Sequence, residues 1–440
     1  MKKFLALLLV ALMSLSLVAC GNSSATSGSA SGSAAGSGSA STTDASKFKV
    51  GAILVGDENE GYTYAHMQGI EEACKELGID TKTNLIYKYS VPEDETCYDA
   101  AVDLAEQGCN VIFANSFGHE TYLMQAASEY PDIYFAHATG THAKTQGLSN
   151  FCNFFDNIYE ARYVSGIVAG LKLKELMDSG KVTDPYIGYV GAYNYAEVVS
   201  GYTAFFLGIR SIVPTAHMDV QYTNSWFDIT AEAEAANALM AKGCVIIGQH
   251  ADSTGAPSAV EAQQKAGKTV YSVGYNVDML SVAPDAALTS PQNNWAVAYK
   301  EIIQTAMEGG TLKSDYCNGY AEGGVQLSAL GTSCAAGTQE AVDKAIADIK
   351  AGTLHVFDTS TFTCSAPEKD GKAVNDGSLG YIVDDKGVVT TAYATDSNGD
   401  FVGDKDNAVF DGYYHESYFQ SAPSFSLRIN GITELNGAAG

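Results

Sequence analysis

The sequence predicts an α/β protein of two doubly wound parallel-sheet lobes, followed by a C-terminal hairpin-rich elaboration. Three observations carry this. Short apolar runs alternate with segments of helical period from residue 48 to about residue 317, which is the grammar of repeated βα units. The alternation breaks at 178–184 and then restarts, which implies a second lobe and a cleft between the two. Beyond residue 365 the pattern changes to short strands separated by Gly-containing turns, the chemistry of hairpins. The clearest single unit is Cys244-Val245-Ile246-Ile247-Gly248, a short buried strand. It runs into the polar turn Gln249-His250-Ala251-Asp252-Ser253-Thr254-Gly255 and then a helical segment near Pro257. Ligands of such sheets sit beyond the carboxyl ends of the strands, where Asp252 offers an acceptor-only carboxylate. A solvated loop in which Asp252 or Ser253 caps the next helix accounts equally well for this turn taken alone.

Taken in order, the chain starts with Lys2 and Lys3 ahead of an apolar run over 4–18. That run is short for a membrane span and fits a secretory signal. Leu17-Val18-Ala19-Cys20-Gly21 ends it and resembles a bacterial lipobox, which implies cleavage before Cys20 and lipidation of its thiol. Residues 21–46 are almost entirely Gly, Ser, Ala and Thr, a tract that cannot bury enough apolar surface to fold and acts as a tether. The expectation is a globular body anchored by lipid to the cell membrane on its extracytoplasmic side. Acidic residues outnumber basic ones 51 to 25, for a net charge of −26. Nucleic acid binding needs clustered cations, so no nucleic acid partner is expected.

Within the body, strands are expected over 48–55, 85–89, 110–114, 132–136, 186–190, 218–222, 244–248 and 269–273. Ile70, Ala73, Cys74 and Leu77 share one helical face, closed by Gly78, as helical spacing and a glycine stop require. Cys97, Ala101, Leu104 and Ala105 mark a second helix. Others are read near 122–128, around Ala161 to Leu171, from Val198 to Ile209, after Asp228, and over 339–350. Cys74, Cys97, Cys109, Cys152 and Cys244 fall in apolar patterns and read as core residues. Cys317, Cys334 and Cys364 lie in looser segments, where one disulfide is open, and their spacing matches no zinc signature. Asp396, Asn398 and Asp400 resemble a calcium loop only in part. Phe401 replaces the required Gly and Asn407 the closing Glu, so a solvated turn is the better reading.

No HExxH, phosphate-binding loop or G-x-S-x-G element is present, which favours a binding module over an enzyme. What recurs is aromatic and polar chemistry just past the strands. It appears in Gly61-Tyr62, in Ser116-Phe117-Gly118-His119 and in Tyr193-Asn194-Tyr195-Ala196-Glu197. It appears again in Thr223-Asn224-Ser225-Trp226-Phe227-Asp228, at Asp252 and in Tyr275-Asn276-Val277-Asp278. Trp226 and Trp295 are the only tryptophans. Each ring singly is explained by partial burial at a lobe surface. Together, ring faces with a few acceptors suit a flat, nitrogen-rich ligand.

The chain at this point resembles the basic membrane protein family of substrate-binding lipoproteins of ABC importers, and within it the purine-binding branch. The resemblance is carried by Ser116-Phe117-Gly118 and by Tyr130-Pro131-Asp132-Ile133-Tyr134-Phe135-Ala136-His137-Ala138-Thr139-Gly140. Further matches are Ile187-Gly188-Tyr189-Val190-Gly191, Glu197-Val198-Val199-Ser200-Gly201-Tyr202, Ser225-Trp226-Phe227-Asp228 and Gln249-His250-Ala251-Asp252-Ser253. It implies a type I periplasmic-binding-protein fold: two lobes joined by a hinge and closing over the ligand. It points to Tyr62, Ser116, Phe117, Trp226 and Asp252 as ligand contacts, with Asp278 and Trp295 as further ones; in the mechanism these residues suggest, Ser116 and Asn194 add polar contacts. The departures are Tyr62 where the branch has tryptophan, Ala251 and Thr254-Gly255 around Asp252, and Asn276 in place of an acid.

The expected organisation is a signal peptide over 1–19, a lipidated linker over 20–46, mainly lobe 1 over 47–182 and mainly lobe 2 over 183–290. A return across the hinge with a helix fills 291–364, and the elaboration with a C-terminal segment fills 365–440. The expected function is capture of a purine base or purine nucleoside and its delivery to an ABC transporter permease, with no cofactor, metal or catalytic residue. Three alternatives use the same residues differently. They are a sugar or polyol receptor, an extracytoplasmic nucleoside-processing enzyme with Asp57 and Asp252 as its carboxylate pair, and a surface interaction protein using the late hairpins.

Overall fold

The computed structural model describes residues 43–394 and 406–436. Cys20, the leader, the linker up to residue 42 and the Asp396-Asn398-Asp400 turn lie outside the described residues. The first lobe begins β1 (Val50–Ile53), α1 (Gly61–Glu76), β2 (Leu85–Lys88), α2 (Thr96–Glu106), β3 (Val111–Ala114) and α3 (Glu120–Glu129). It continues with β4 (Tyr134–Ala138), the single turn α4 (Ala143–Gln146), β5 (Phe151–Phe154) and the long α5 (Ile158–Asp178). The second series is β6 (Tyr186–Gly191), α6 (Ala196–Ile212), β7 (His217–Tyr222), α7 (Ile229–Lys242), β8 (Ile246–Gln249), α8 (Gly255–Lys265) and β9 (Tyr271–Val273). Then come α9 (Ala296–Met307) and α10 (Thr338–Lys350).

Two parallel sheets result. The first has the order β2, β1, β3, β4, β5, with a two-residue strand, Asp315–Tyr316, added beside β5. The second has the order β7, β6, β8, β9. Its free edge is covered by Ile432–Glu434, a strand from the far end of the chain that pairs parallel with β7. Strand order reverses between β1 and β3 in one sheet and between β6 and β8 in the other. At such a reversal the following loops diverge to opposite faces and leave a crevice.

Most strands lie where apolar runs placed them, shifted by up to two residues at their ends. β5 was not expected. Its Phe-Cys-Asn-Phe run is fully buried, but Asn153 interrupts the apolar pattern. That side chain is absorbed: Oδ1 accepts from Ala143 N at 2.8 Å and Nδ2 donates to Glu120 Oε1 at 2.9 Å. The two edge strands at Asp315–Tyr316 and Ile432–Glu434 are too short for any pattern to reveal. All eight described cysteines are free, so no disulfide joins Cys317, Cys334 and Cys364. Cys317 Sγ instead faces Asn157 Oδ1 at 2.8 Å.

Within 365–436, two tight hairpins turn on Asp370-Gly371 and Asp411-Gly412, all four residues with φ between 50° and 89°. A third pairs Tyr381–Val383 with Val389–Ala392. Asp376-Gly377 makes a turn whose Oδ1 accepts from Ser378 N at 3.0 Å, but no hairpin forms around it. The rings of Phe357 and Phe425 stack at 4.2 Å with Tyr414 and Phe362 edge-on. They belong to the same apolar cluster as α5 and α6, so this segment is built onto the lobes.

The two long helices α5 and α6 touch at backbone distance. A Cβ on Gly166 would lie 2.1 Å from Phe205 O, and one on Gly208 would lie 2.1 Å from Tyr163 O. Both approaches require glycine, and each forces a backbone shift if filled. Gly208→Ala is therefore expected to destabilise the protein by ~1–3 kcal/mol, the usual cost of overpacking a tight contact. Urea unfolding checks this, and an unchanged midpoint contradicts the crossing geometry.

Candidate functional site

At the first sheet's reversal the loop after β1 runs through Gly56 to Glu60 and enters α1. Tyr62 lies in the first turn, and its hydroxyl donates to Asn115 O, just past β3, at 2.7 Å. Asn115 Oδ1 accepts from Val55 N at 2.9 Å. The carboxyl ends of β1 and β3 are thereby stapled together. Ser116 Oγ and Gly118 N both donate to Glu93 Oε1 at 2.7 Å. This holds the short turn Phe117–His119 with the Phe117 ring 47% exposed, free to meet something across the cleft. It meets Tyr195 of the second lobe, stacked at 5.6 Å.

The second lobe answers with a run of rings. Tyr195 stacks on Tyr193 at 5.2 Å, and Tyr193 is edge-on to Trp226 at 5.2 Å. His250 lies between Trp226 and Tyr275, at 6.3 and 5.0 Å. The turn after β8 is locked by its own side chains. Gln249 Nε2 donates to Ala251 O and Ser253 O at 2.8 and 3.0 Å, and Ser253 Oγ accepts from Gly255 N at 3.0 Å. Asp252 caps nothing. Its backbone N donates to Trp226 O at 2.8 Å, and its Oδ1 accepts from Asn276 Nδ2 at 2.5 Å. Asn276 reaches it from a left-handed backbone position, φ 64°.

Together these groups enclose a cavity of about 310 Å3, within the ~300–1,000 Å3 range of small-ligand sites. Tyr62, Ser116, Phe117, Trp226 and Asp252 all line it. Asn194, Asp278 and Trp295 do not. Asn194 Oδ1 accepts from Arg428 Nη2 of the C-terminal segment. Asp278 closes its own turn onto Leu280 N at 2.8 Å. Trp295 is 1% exposed and stacks on His66 at 4.0 Å, in the core behind Tyr62. An aromatic next to a strand end can back the site as readily as face it, and sequence does not separate the two. The lining residues not singled out from sequence include Glu60, Asn115, Glu197, His250 and Tyr275. Glu197, His250 and Tyr275 lie in the turns that sequence marked, and Glu60 and Asn115 stand one residue before such turns, so the signal was present at the level of the loop and not of the residue.

The electrostatics are unusual for so acidic a chain. Asp57, Glu60, Glu197 and Asp252 line the cavity, while among the described residues no lysine or arginine does. Burial raises the Asp252 carboxyl well above its ordinary value, with Glu60, Glu232 and Glu197 pushing the same way. Burial likewise raises Glu60, and lifts Glu197 to about 7 against the pull of Arg162. Arg162 lies behind the wall. It donates to Tyr189 OH at 2.6 Å and Gln249 O at 2.9 Å, with its guanidinium 3.8 Å from the Tyr275 ring centre. Burial keeps His250 neutral, and its Nε2 lies 3.1 Å from Glu197 Oε1. The cavity is thus a set of ring faces and carboxyl groups, which accept from a ligand's N–H donors in their ionised form. Among the described residues no group of His, Cys, Asp and Glu could hold a metal ion.

Residues 48–350 match the family model of PnrA-like ABC transporter substrate-binding proteins. A purine-binding protein of Brucella abortus (strain 2308) is 32% identical over 312 residues, covering 71% of this chain and 83% of its own length. A putative ABC transporter glucose-binding protein of Haloferax volcanii is 30% identical, covering 70% and 73%. The structure of an ABC transporter solute-binding protein from Aeropyrum pernix K1 matches with a TM-score of 0.59 at 16% identity, over 73% of this chain and 94% of that one. At that identity the structural match shows the fold alone.

Glu197 gives a pH test. Folded, it keeps its proton to about 7; unfolded, it titrates near 4.5. Below the unfolded value both states are protonated and the group has no effect on stability. As pH rises from there to the folded value, the unfolded chain gains by ionising and the ligand-free protein loses stability. Glu197→Gln removes this component. Between about pH 5 and pH 7.5 the variant should lose less stability than the parent, by up to ~3 kcal/mol. Urea unfolding at the two pH values measures it, and an identical pH slope in both proteins contradicts the assignment.

Proposed function

Since the chain belongs to the PnrA-like family of ABC transporter substrate-binding proteins, we propose that it captures a purine base or purine nucleoside and hands it to an ABC permease. The observation that carries this reading is the pairing of ring faces with buried carboxyl groups in one cleft. Phe117 and Trp226 offer faces from opposite lobes, and Asp252 stands buried between the strand ends. Tyr62 uses its hydroxyl on Asn115, which leaves its ring as a wall. The Brucella relative, described as purine-binding, supports the ligand class.

The mechanism follows from the groups present. A purine ring slides between Phe117 and Trp226, each stacking contact adding ~0.5–1.5 kcal/mol beyond buried area. An N–H of the ring donates to Asp252, whose free oxygen is Oδ2 because Oδ1 is held by Asn276. Donation to the ionised form favours that form, so uptake of a neutral purine by Asp252 releases a proton. Asn276 holds the carboxylate in one orientation throughout. The Phe117–Tyr195 contact closes the mouth, and permease docking favours the open form. Phosphate esters are disfavoured, because four carboxyl residues line the cleft and, among the described residues, no lysine or arginine lines it beside them. In this reading the body is held at the extracytoplasmic face of the membrane through lipidated Cys20, so Cys20→Ser should move the protein from the membrane fraction to the soluble one. Retention of the variant in the membrane would remove the anchor from the account.

Calorimetric titration with purine bases, nucleosides, nucleotides and glucose tests the ligand class. Saturable binding is expected from bases or nucleosides, with none from nucleotides. Trp226→Ala should weaken that binding about 10-fold or more. Asp252→Asn should weaken it ~10–100-fold, the worth of a hydrogen bond to a charged group. Binding of glucose alone, or purine affinity untouched in both variants, overturns the reading.

A further inference from the structure

A second cavity of about 300 Å3 opens between the start of α5, the end of α10 and the C-terminal segment. Residues 354–357 and 413–418 form most of its wall, and they lie beyond the 48–350 stretch that the family model matches. It shares no lining residue with the cleft between the lobes.

Its walls are rich in rings. His355 stacks on Tyr413 at 3.7 Å with 5° between planes, Tyr413 on His415 at 3.7 Å, and His415 on Phe410 at 3.3 Å. Tyr418, 64% exposed, stands edge-on to Phe410 and His415 at the rim. Tyr159 of α5 forms part of the wall and lies 5.4 Å from the Phe357 ring. The rings are already held by one another, so a ligand does not have to order them.

Two carboxyl residues, Glu160 and Glu416, line the same cavity. Glu160 Oε2 accepts from Tyr320 N at 2.7 Å. Glu416 Oε2 accepts from Ser424 N at 3.1 Å and Phe425 N at 2.9 Å. Among the described residues neither makes an ion pair, and no lysine or arginine lines the cavity. Burial lifts each to about 7, with backbone donors pulling both back down and Ser200 adding to that pull on Glu416. Removing carboxyl groups from water without a counter-ion leaves their desolvation uncompensated. A ligand carrying positive charge supplies what the protein lacks.

We propose that this cavity is a second ligand site, for a small organic ammonium ion that donates to Glu160 and Glu416 while its carbon body lies against the Tyr159, Tyr413 and Tyr418 rings. Carboxylates are acceptors only and form their strongest hydrogen bonds with charged N–H donors. Aromatic walls add a preference for organic cations over hydrated metal ions. Anions are disfavoured by the same two carboxyls.

Calorimetric titration of the full chain with choline, putrescine and phenethylamine tests this, with glucose and inorganic phosphate as comparison. At least one ammonium probe should bind saturably. Glu160→Gln and Tyr413→Ala should each weaken it 10-fold or more while retaining a cooperative melt. If Tyr413→Ala does not fold, Tyr418→Ala at the exposed rim takes its place. Asp252→Asn, in the other cleft, should leave ammonium binding unchanged, whatever ligand that cleft proves to take. Four results overturn the proposal: no ammonium probe binds; glucose or phosphate alone binds; binding survives both cavity variants; or Asp252→Asn abolishes it, which places the ammonium ion between the lobes.

Discussion

Carboxyl groups held out of water at the meeting point of two parallel sheets set the terms for this protein. Burial pushes Glu60, Glu197 and Asp252 toward their neutral forms, and at Asp252 the neighbouring Glu60, Glu232 and Glu197 push the same way. Hydrogen bonds in the surrounding structure hold this arrangement in place. Arg162 lies behind the wall as a partial offset, its Nη1 donating to Tyr189 OH and Gln249 O. The staple from Tyr62 to Asn115 fixes one wall. The side-chain-locked turn after β8 fixes the other. Both walls of the cleft are therefore fixed by hydrogen bonds within the protein itself.

Much of this was legible in the sequence because it depends on periodicity. Alternating apolar runs gave the two series of βα units, and the break after residue 178 gave the second lobe. The turn around Asp252 is the instructive case. Sequence left it evenly balanced between a helix cap and a ligand loop. The structure gives capping and turn-shaping to Ser253 and Gln249, and leaves Asp252 facing the cavity. What was not legible depends on distance along the chain. Asn194 is taken by Arg428, 234 residues away, and Trp295 by His66. The strand Ile432–Glu434 finds its partner more than two hundred residues back. No local pattern announces such pairings.

The C-terminal segment is more than an appendage. It supplies an edge strand to the second sheet and rings to the main apolar cluster. Through Arg428 and Glu434 it also reaches Asn194 and Tyr222 beside the cleft. A segment outside the family match thus braces the second lobe and walls a cavity of its own. The charge pattern of that cavity repeats that of the cleft, with carboxyl groups and rings and, among the described residues, no lysine or arginine in the lining.

The chain has two tryptophans, and Trp295 is sealed in the core. Fluorescence titration with purines therefore reports on Trp226 almost alone. The account predicts saturable quenching by a purine base or nucleoside, and its loss in Trp226→Phe. Saturable quenching by glucose with none from any purine, or purine quenching that persists in Trp226→Phe, would contradict it.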